Sequence, residues 1–495
     1  MSREDARRWY ALAVCLVALF MTLLDVSITN VALPAIGAGV GAQASALQWV
    51  VSGYTLAFGL VPIIGGRLGD DHGRRRMFLI GVAGFMASSA LVGAAPEPRL
   101  LIAGRVVQGL FGGLINPQVA GLVQQMFRGA QRARAFGAIG TIVGVATAVG
   151  PLAGGGLIAL GGPHLGWRLV FFVNVPIGLA TIVMARRWLP PPAPSPRRRQ
   201  LDLPGAALLG GATFAVLFAA VQYDTARDLR LLWLLVPAAL LATGFVVRER
   251  HLTHRNRDPL FDLRLFREPS YTVGVALALL YFCGYTGLPL VLSLYYQQGL
   301  GYSALRAGLG VTALAVGSAA AATLAGRWVS RLGRPLVVGG LVTFGIGALL
   351  IDLVTGPGDH VARRLALPLL VLGLGSGAII TPNQALTLQQ VDPVVGGTAG
   401  GVLQTAQRIG AAVGQGVISA VFLASLPGTV ARMSGPARDA AYGSALSTAV
   451  GVTLGFVAAA IILSVVDLVL SRRRAGRAAP ADTAALPHGE RPAAG

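Results

Sequence analysis

Two charged residues lie inside long apolar stretches, where ionised side chains are costly and usually functional. Asp25 is in the sequence LLDVSITNVALP, and Arg105 is in GRVVQG. Burial disfavours the charged form of a carboxyl group, so Asp25 is a candidate for binding and releasing a proton near neutral pH. Arg105 needs acceptors, which Asp25 or Gln108 would supply, and protonation of Asp25 would weaken such a pair. We therefore predict a proton site formed by Asp25 and Arg105.

Both charges also have a purely structural interpretation, which the sequence leaves open. Asp25 would then only pair with a neighbour, or cap a polar cluster with Thr22, Ser27 and Asn30. Arg105 would form a fixed bridge with no change of state. The two interpretations differ in whether the carboxylate of Asp25 ever takes up a proton.

Three further charges in or near apolar stretches are weaker candidates for this chemistry. Arg408, in QTAQRIG, has no obvious acid beside it in the sequence. Asp352 and Asp467 stand near the ends of apolar stretches, where a carboxylate is usually solvated. We expect all three to matter less than Asp25.

The composition predicts an integral membrane protein. Hydrophobic residues make up 54% of the 495 residues and charged residues only 12%, with a mean hydropathy of +0.67. Soluble domains carry about 25% charged residues. Many apolar runs approach the roughly 20 residues that cross a bilayer as a helix. The first run, from Trp9, is predicted to be a retained span, since it is too long for a signal peptide.

Composition also limits the chemistry and the partners. All 40 basic residues are arginine, and the net charge is +20, but these arginines fall mostly in short loops, so we expect no nucleic-acid partner. Without lysine there is no GxxxxGK[ST] loop to bind ATP. Cys15 and Cys283 fall in apolar stretches, and no metal cluster or nucleophile–base pair is evident. We therefore expect no metal, no cofactor and no enzymatic activity.

Fourteen apolar stretches are predicted to span the membrane. They begin near Trp9, Ala46, Met77, Leu100, Ala135, Leu169, Leu203, Leu231, Tyr271, Ala304, Pro335, Leu365, Gly396 and Ala445. Alternating the loops between the two sides places 28 arginines on one side and nine on the other. This bias predicts that both termini of a multi-pass plasma-membrane protein lie in the cytoplasm.

An internal repeat divides the spans into two halves. GRWVSRLGR, at residues 326–334, repeats the glycine and arginine spacing of GRLGDDHGR at residues 66–74. We predict an N-terminal six-helix bundle, a linker with two extra spans, a C-terminal six-helix bundle and a disordered cytoplasmic tail, at residues 1–188, 189–268, 269–470 and 471–495. In the linker, PLFDLRLF at residues 259–266 either lies on the membrane surface or forms a structured loop, which we favour slightly.

The sequence GRLGDDHGRRR, at residues 66–76, is a short charged connection between two predicted spans. It resembles the loop between helices 2 and 3 of major facilitator superfamily transporters, G-x-L-a-D-x-x-G-R-R. Other stretches resemble the fourteen-helix drug:proton antiporter branch of that superfamily. They are LLDVSITNVALP, the Arg105/Gln108/Gly109 motif, the Gly150-Pro151 step and WRLVFFVNVPIG at residues 167–178. In the C-terminal half, DPLFDLRLFR and the glycine-rich predicted helices also match this branch.

This resemblance implies a major facilitator fold of fourteen helices, arranged 6+2+6, with a ligand site between the halves. It implies export of hydrophobic, often cationic, compounds in exchange for protons, with Asp25 as a proton-coupling residue. Asp70 with Arg74 would stabilise one conformation of a gate, to which Gly66 and Gly73 of the same motif also belong.

The chain departs from the family pattern at two positions. Asp71 stands where the loop usually carries a basic or polar residue, so the charge network there is expected to be rewired. Ser330 replaces the acid in the C-terminal copy of the motif. Only the N-terminal copy is therefore expected to switch.

The sequence GVATAVGPLAGGG, at residues 144–156, predicts a close helix contact at the gate. Glycines let helices approach closely, while Pro151 removes a backbone donor and bends its helix. With Gly150 and Gly154, it resembles the antiporter motif of the family. We predict that this seam closes the cytoplasmic side.

Polar and aromatic residues within the predicted spans are candidates for substrate contacts, although helix packing or lipid contact explains each of them as well. The selected residues are Trp49, Tyr54, Gln108, Asn116, Asn174, Tyr281, Tyr285, Asn383 and Gln404. Weaker candidates are Gln48, Gln118, Phe282, Tyr295, Gln384 and Gln407. Aromatic faces suit planar cationic ligands.

The sequence therefore predicts a monomeric, proton-driven exporter of small molecules, whose two bundles rock around a cavity in the bilayer. One alternative is a narrow exporter of a single endogenous metabolite, lipid or antibiotic. A second is proton-coupled nutrient uptake, against which the Gly150-Pro151 motif argues. A third is a membrane sensor or passive channel that does not pump.

Overall fold

The computed structural model describes residues 3–191, 202–226, 229–255, 257, 259–355 and 361–478. Within these residues the regular secondary structure is entirely helical, which confirms the all-α prediction. Residues 471–478 of the predicted tail continue the last helix, and the rest of the tail lies outside the described residues.

The first six predicted spans form seven helices. They are α1 (Arg3–Val40), α2 (Ala44–Leu60), α3 (Pro62–His72), α4 (Arg74–Ala94), α5 (Pro98–Met126), α6 (Gly129–Phe172) and α7 (Asn174–Trp188). α2 and α3 are one span bent by 46°, at the point where Pro62 cannot donate a backbone hydrogen bond. α6 leaves the helical conformation only at Gly162, whose φ is 63°, so the fifth span ends there and the sixth begins.

The remaining spans comprise an inserted pair of helices and the C-terminal half. The pair is α8 (Leu203–Ala226) and α9 (Leu235–His254). The C-terminal half consists of α10 (Pro269–Tyr285), α11 (Gly287–Leu294), α12 (Ala304–Leu332), α13 (Arg334–Val354), α14 (Val361–Thr387), α15 (Gly396–Ala424) and α16 (Gly435–Ala478). α10, α11 and a π-helical turn at Tyr295–Gly299 make a single span.

A helix lies at each of the fourteen predicted positions. Among the described residues, 12 helices are long and apolar enough to cross a membrane, and the bent α2–α3 pair raises the number to 13. The remaining one is α9, whose C-terminal part carries Arg248, Glu249 and Arg250. The structure is therefore consistent with fourteen spans.

The inserted helix α8 contacts both halves. Its Phe218 packs against Trp49 of α2, with ring centroids 6.2 Å apart. On its other side, a Cβ added at Gly416 of α15 would lie 3.4 Å from the carbonyl oxygen of Ala220. The pair thus lies against the junction of the two bundles rather than apart from it.

One end of the bundle gathers the N-terminus and the charged connections, and we call it the arginine-rich end. Trp9 packs on Phe127 at 5.1 Å, and Ser270 donates to Gln390 at 2.8 Å. Arg74 donates to the carbonyl oxygen of Pro393. These contacts bring the start of α1 and the α3–α4, α5–α6 and α14–α15 connections to the same end.

Asp467, expected to be solvated, is instead paired at this end. Its carboxylate lies 3.2 Å from Arg334, and both side chains are 11% exposed. Arg334 occupies the place of Arg74 in the C-terminal copy of the repeat, where Ser330 replaces the acid. The acid is supplied by α16, which the local sequence pattern does not reveal.

The loop at residues 259–266 is a structured loop, as favoured above. Leu260 and Phe261 are buried, and their backbone N–H groups each donate to the carboxylate of Glu249 at 3.2 Å. Burial raises the pKa of Glu249 to about 7, although these hydrogen bonds and Arg67 oppose the shift. Glu249 therefore ties the inserted pair to the loop that leads into the C-terminal half.

We expect Glu249→Gln to weaken the pH dependence of stability. The pKa of Glu249 is raised from 4.5 to about 7, so the folded state favours the protonated side chain. The stability that this preference gives is fully present below pH 4.5 and is lost as the pH rises through about 7. The wild-type Tm in detergent should fall between pH 5 and pH 8 by about 3 °C more than that of the variant. Glu97→Gln, at an exposed glutamate, is the control. Equal pH dependence in wild type and Glu249→Gln would contradict this account.

Candidate functional site

The carboxylate of Asp25 lies at the centre of a buried polar network in the N-terminal half. Its Oδ2 is 2.6 Å from Nη1 of Arg105, and both side chains are almost fully buried. Its Oδ1 accepts hydrogen bonds from Gln108 at 2.9 Å and from Asn174 at 2.8 Å. Arg105 and Gln108 face Asp25 together because they are one turn apart on α5. The contact predicted between Asp25 and Arg105 is therefore present.

The partners of Arg105 hold its guanidinium in place. Nε donates to the carbonyl oxygen of Val50 at 3.1 Å, and Nη1 donates to Gln108 at 2.8 Å. The guanidinium also lies 4.2 Å from the ring centroid of Tyr54. Protonation of Asp25 would remove the ionic part of its pair but leave Arg105 with these other contacts. The network can thus exist in two electrostatic states without losing all its partners.

The alternative polar cluster around Asp25 does not form. Thr22 donates to the carbonyl oxygen of Leu19, while Ser27 and Asn30 line a cavity. Gln108 and Asn174, selected above as substrate contacts, hold the carboxylate of Asp25 instead. The amide groups that reach Asp25 come from α5 and α7, which only the tertiary fold brings together.

At the arginine-rich end, Asp70 joins the two halves. Its Oδ1 accepts from Arg74 at 2.6 Å and from the backbone N–H of Gly397 at 3.1 Å. Its Oδ2 accepts from the backbone N–H and the hydroxyl of Thr398, each at 2.8 Å. The carboxylate therefore sits at the N-terminus of α15, where the helix dipole favours an anion. We call these contacts, together with that of Arg74 to Pro393, the latch.

The other residues of the motif shape the latch. A Cβ added at Gly66 would lie 2.3 Å from the carbonyl oxygen of Gly397, so only glycine permits this approach. Gly73 has a φ of 95°, which side-chain-bearing residues rarely adopt. Asp71 pairs with Arg67 at 2.9 Å on α3 itself. The unusual acid at Asp71 therefore does not displace the pair of Asp70 with Arg74.

We expect Gly66→Ala to reduce transport about tenfold by preventing closure of the latch. The added methyl group would overlap backbone atoms of Gly397 and Thr398, which cannot move aside as a flexible side chain does. Gly155→Ala is the matched control, because a Cβ there meets nothing within 4 Å. Initial transport rates at equal membrane levels check the prediction. Full activity of Gly66→Ala would show that closure does not need this contact.

The first glycine of the predicted seam packs across the halves, since a Cβ added at Gly144 would lie 2.7 Å from the Cβ of Ala319 in α12. A Cβ at Gly150 would meet Ser27, and one at Gly154 would lie 3.3 Å from Ile28, so both glycines pack on α1 within the N-terminal half. The contact across the halves continues towards the start of α6, where a Cβ at Gly137 would lie 2.9 Å from the Cα of Gly326 in α12. α6 stays helical through Pro151.

Two adjoining cavities lie beside this network. One, of about 250 Å³, lies between the halves and is lined by Asn116, Phe282, Tyr285, Thr381, Gln384, Gln404, Gln407 and Arg408, among others. The other, of about 260 Å³, is lined by residues of α1, α2 and α6, including Tyr54 and Phe58, and again by Arg408. The cavities share Leu23, Thr147 and Arg408.

The structure places some predicted substrate residues in these cavities and others elsewhere. Tyr54, Asn116, Tyr285 and Gln404 line them, as do the weaker candidates Phe282, Gln384 and Gln407. Outside the cavities, Trp49 packs on α8, and Tyr281 donates to Ser376 at 2.8 Å. Asn383 accepts from Arg334 at 3.1 Å, and Gln118 donates to the carbonyl oxygen of Gly65 at 2.7 Å. Arg408, a weaker candidate from the sequence, places a cation in the wall of both cavities. The sequence signal for this role of Arg408 is that Gln404 and Gln407 lie close to it on the same helix.

Comparisons with known proteins agree with this architecture. Residues 15–415 match the Major Facilitator Superfamily. The probable actinorhodin transporter of Streptomyces coelicolor is 39% identical over 425 residues, which cover 85% of this chain and 73% of the relative. The tetracenomycin C resistance and export protein of Streptomyces glaucescens is 33% identical, with 86% and 77% covered. The multidrug resistance protein Stp of Mycobacterium tuberculosis is 32% identical, with 83% and 75% covered.

Solved structures show the same fold at low sequence identity. The human organic anion transporter MFSD10 superposes with a TM-score of 0.66 at 18% identity, covering 94% of this chain and all of its own. The proton:xylose symporter XylE superposes with a TM-score of 0.59 at 16% identity, covering 92% of this chain and 96% of its own. With the family match over most of the chain, the chain belongs to the major facilitator superfamily and is a multi-pass membrane transporter of small molecules.

Proposed function

We propose that this transporter exports hydrophobic drugs or antibiotics from the cytoplasm in exchange for protons. The observation that carries the proposal is a buried acid–arginine pair, Asp25 with Arg105, beside a cavity that lies between two bundles. Two relatives whose names describe export or resistance support the direction of transport. No enzymatic step is part of the proposal.

We further propose that the arginine-rich end faces the cytoplasm. Loops rich in arginine are retained on that side of bacterial membranes. In the described conformation the latch closes this end, so substrate would enter only after Asp70 and Arg74 release α15. A monomer suffices for this cycle, because both bundles and the cavity belong to one chain.

Helix α5 provides a direct connection between the proton site and the latch. It carries Arg105 and Gln108 beside Asp25, then Asn116 in the cavity, and then Gly121, whose carbonyl oxygen accepts from Arg74 at 2.6 Å. α5 is one continuous helix over this length, with Pro117 inside it, so a shift at Arg105 would be transmitted along it towards Arg74. Proton binding at Asp25 would thereby favour release of the latch.

The proposal is tested by efflux of a panel of fluorescent dyes of both charges, including ethidium and fluorescein, from cells with and without an uncoupler, and by uptake into inside-out vesicles. We expect efflux that the uncoupler abolishes, and uptake driven by a proton gradient that is acidic inside. Transport in the opposite direction would indicate proton-coupled nutrient uptake. Flux that continues at full rate without a gradient would indicate a passive channel.

A narrow exporter of one antibiotic or metabolite is the second candidate function. Two relatives have names that each describe a single compound, actinorhodin and tetracenomycin C. Failure of a broad dye panel in cells, together with uncoupler-sensitive export of one compound, would favour this candidate. The proton site and the latch would serve either exporter.

A further inference from the structure

Arg408 places a guanidinium between the two cavities, where the described residues provide no counter-charge. It lines both cavities and lies 4.3 Å from the ring centroid of Phe58. Within the part of the chain that the structure describes, no hydrogen bond or ion pair engages this guanidinium. An arginine side chain has five N–H donors and no acceptor, so these donors are available to a ligand.

The described walls of the two cavities offer no acid to neutralise this charge. Among the described residues that line them, none is aspartate or glutamate. Asp25, the carboxylate of the neighbouring network, already accepts hydrogen bonds at both oxygens, from Arg105 on one and from Gln108 and Asn174 on the other. A cation left unpaired in a membrane-embedded cavity is costly, and an anionic ligand would offset that cost.

The rest of the cavity wall presents hydrogen-bonding groups and aromatic rings. Four buried polar atoms that line the cavities have no partner among the described residues: Oη of Tyr54, Oδ1 of Asn116, Oγ1 of Thr381 and Oε1 of Gln404. The rings of Phe282 and Tyr285 stand at 82° with their centroids 6.3 Å apart. Such a wall suits a ligand with an aromatic body and several hydroxyl groups.

We infer that the substrates are aromatic acids, whose carboxylate or phenolate lies against Arg408 and whose hydroxyl groups meet the unpaired polar atoms. The inference rests on the proposed export function and names its substrate class. It differs from the expectation of cationic ligands, which followed from the family resemblance. A cation would be repelled by Arg408 and would find no carboxylate in the described cavity wall.

The test uses a pair of dyes with the same xanthene core and opposite charge. Fluorescein is an anion at pH 7.5, and rhodamine 123 is a cation. Both are offered, with ethidium, to inside-out phosphatidylcholine vesicles that contain the purified full chain, under a proton gradient. We expect transport of fluorescein in preference to rhodamine 123.

Variants of Arg408 separate its charge from its shape. Arg408→Gln should raise the KM for fluorescein about tenfold to a hundredfold, as expected for loss of a hydrogen-bonded ionic contact. Arg408→Lys, which keeps the charge, should recover part of that loss. Arg438→Gln is the matched control, because Arg438 also lies over a tyrosine ring, that of Tyr442 at 5.9 Å, but lines neither cavity.

The outcomes distinguish the inference from the proposed function. Transport of rhodamine 123 or ethidium without fluorescein would overturn the inference and leave proton-coupled export intact. The same KM change for both dyes in Arg408→Gln would also overturn it, because the role of Arg408 would not then depend on ligand charge. No transport of any dye by the wild type would contradict dye export itself, and the inference with it.

Discussion

Asp25→Asn is expected to abolish proton-driven export while leaving substrate binding in place. Asparagine has the shape of the protonated carboxyl group but cannot release a proton, so the pair with Arg105 would stay in one electrostatic state. We expect the uncoupler-sensitive efflux rate to fall about 100-fold, at the upper end of coupling between two sites. The fluorescence of cells loaded with a dye that the wild type exports gives this rate, and substrate affinity is measured on the purified protein.

The control for this experiment is another acid within a membrane-spanning helix. Asp352 of α13 is partly buried and accepts from Ser447, far in sequence from the Asp25 network. Asp352→Asn should export normally. If Asp25→Asn exports at the wild-type rate and equal membrane level, the coupling role lies elsewhere, and Asp25 only holds Arg105, Gln108 and Asn174 in place.

Asp70→Asn is expected to open the arginine-rich end. The carboxylate accepts hydrogen bonds from Arg74, Gly397 and Thr398, and the amide would lose the charge and one acceptor oxygen. Hydrogen bonds to charged groups contribute about 1.5–3 kcal/mol, so the ratio of open to closed forms should rise about 10-fold to 100-fold. Export should fall in parallel, because the cycle requires the latch to reform.

Spin labels report this opening directly. Arg76→Cys and Arg331→Cys place one label in each half at the arginine-rich end. The native thiols of Cys15 and Cys283 are buried and so do not react. A longer label–label distance in Asp70→Asn supports the latch. Asp262→Asn, at an exposed acid that caps a short turn, should leave the distance unchanged. If the label–label distance is unaltered in Asp70→Asn, the contacts between α6 and α12 hold the arginine-rich end closed without the latch.

Both predictions depend on one helix. Because α5 carries Arg105, Asn116 and Gly121, it connects the proton site, the cavity and the latch in a single helix. Asp25→Asn combined with Asp70→Asn should therefore show an opening that depends less on pH than Asp70→Asn alone. Non-additive effects of this kind are expected for residues that act on one shared element.

The sequence by itself determined the membrane class, the positions of the fourteen helices and the chemistry of the short-range motifs. Long apolar runs alternate with charged connections, and runs of this length lie within the hydrocarbon core of the membrane because their side chains are excluded from water. Arg74, the partner of Asp70, belongs to the same motif and lies only four residues away in the sequence. Arg105 was foreseeable as the partner of Asp25 because a buried guanidinium requires acceptors and few acids were available.

Only the tertiary structure decided which distant residues meet. Gln108 and Asn174 belong to the Asp25 network, Asp467 supplies the acid for Arg334, and Arg408 lines the cavities. Helix faces are nearly uniformly apolar in a membrane protein, so hydrophobic periodicity does not indicate which face meets a neighbouring helix. Close packing at small residues such as Gly66 and Gly137 sets those faces, and the position of a polar side chain follows from the helix packed against it.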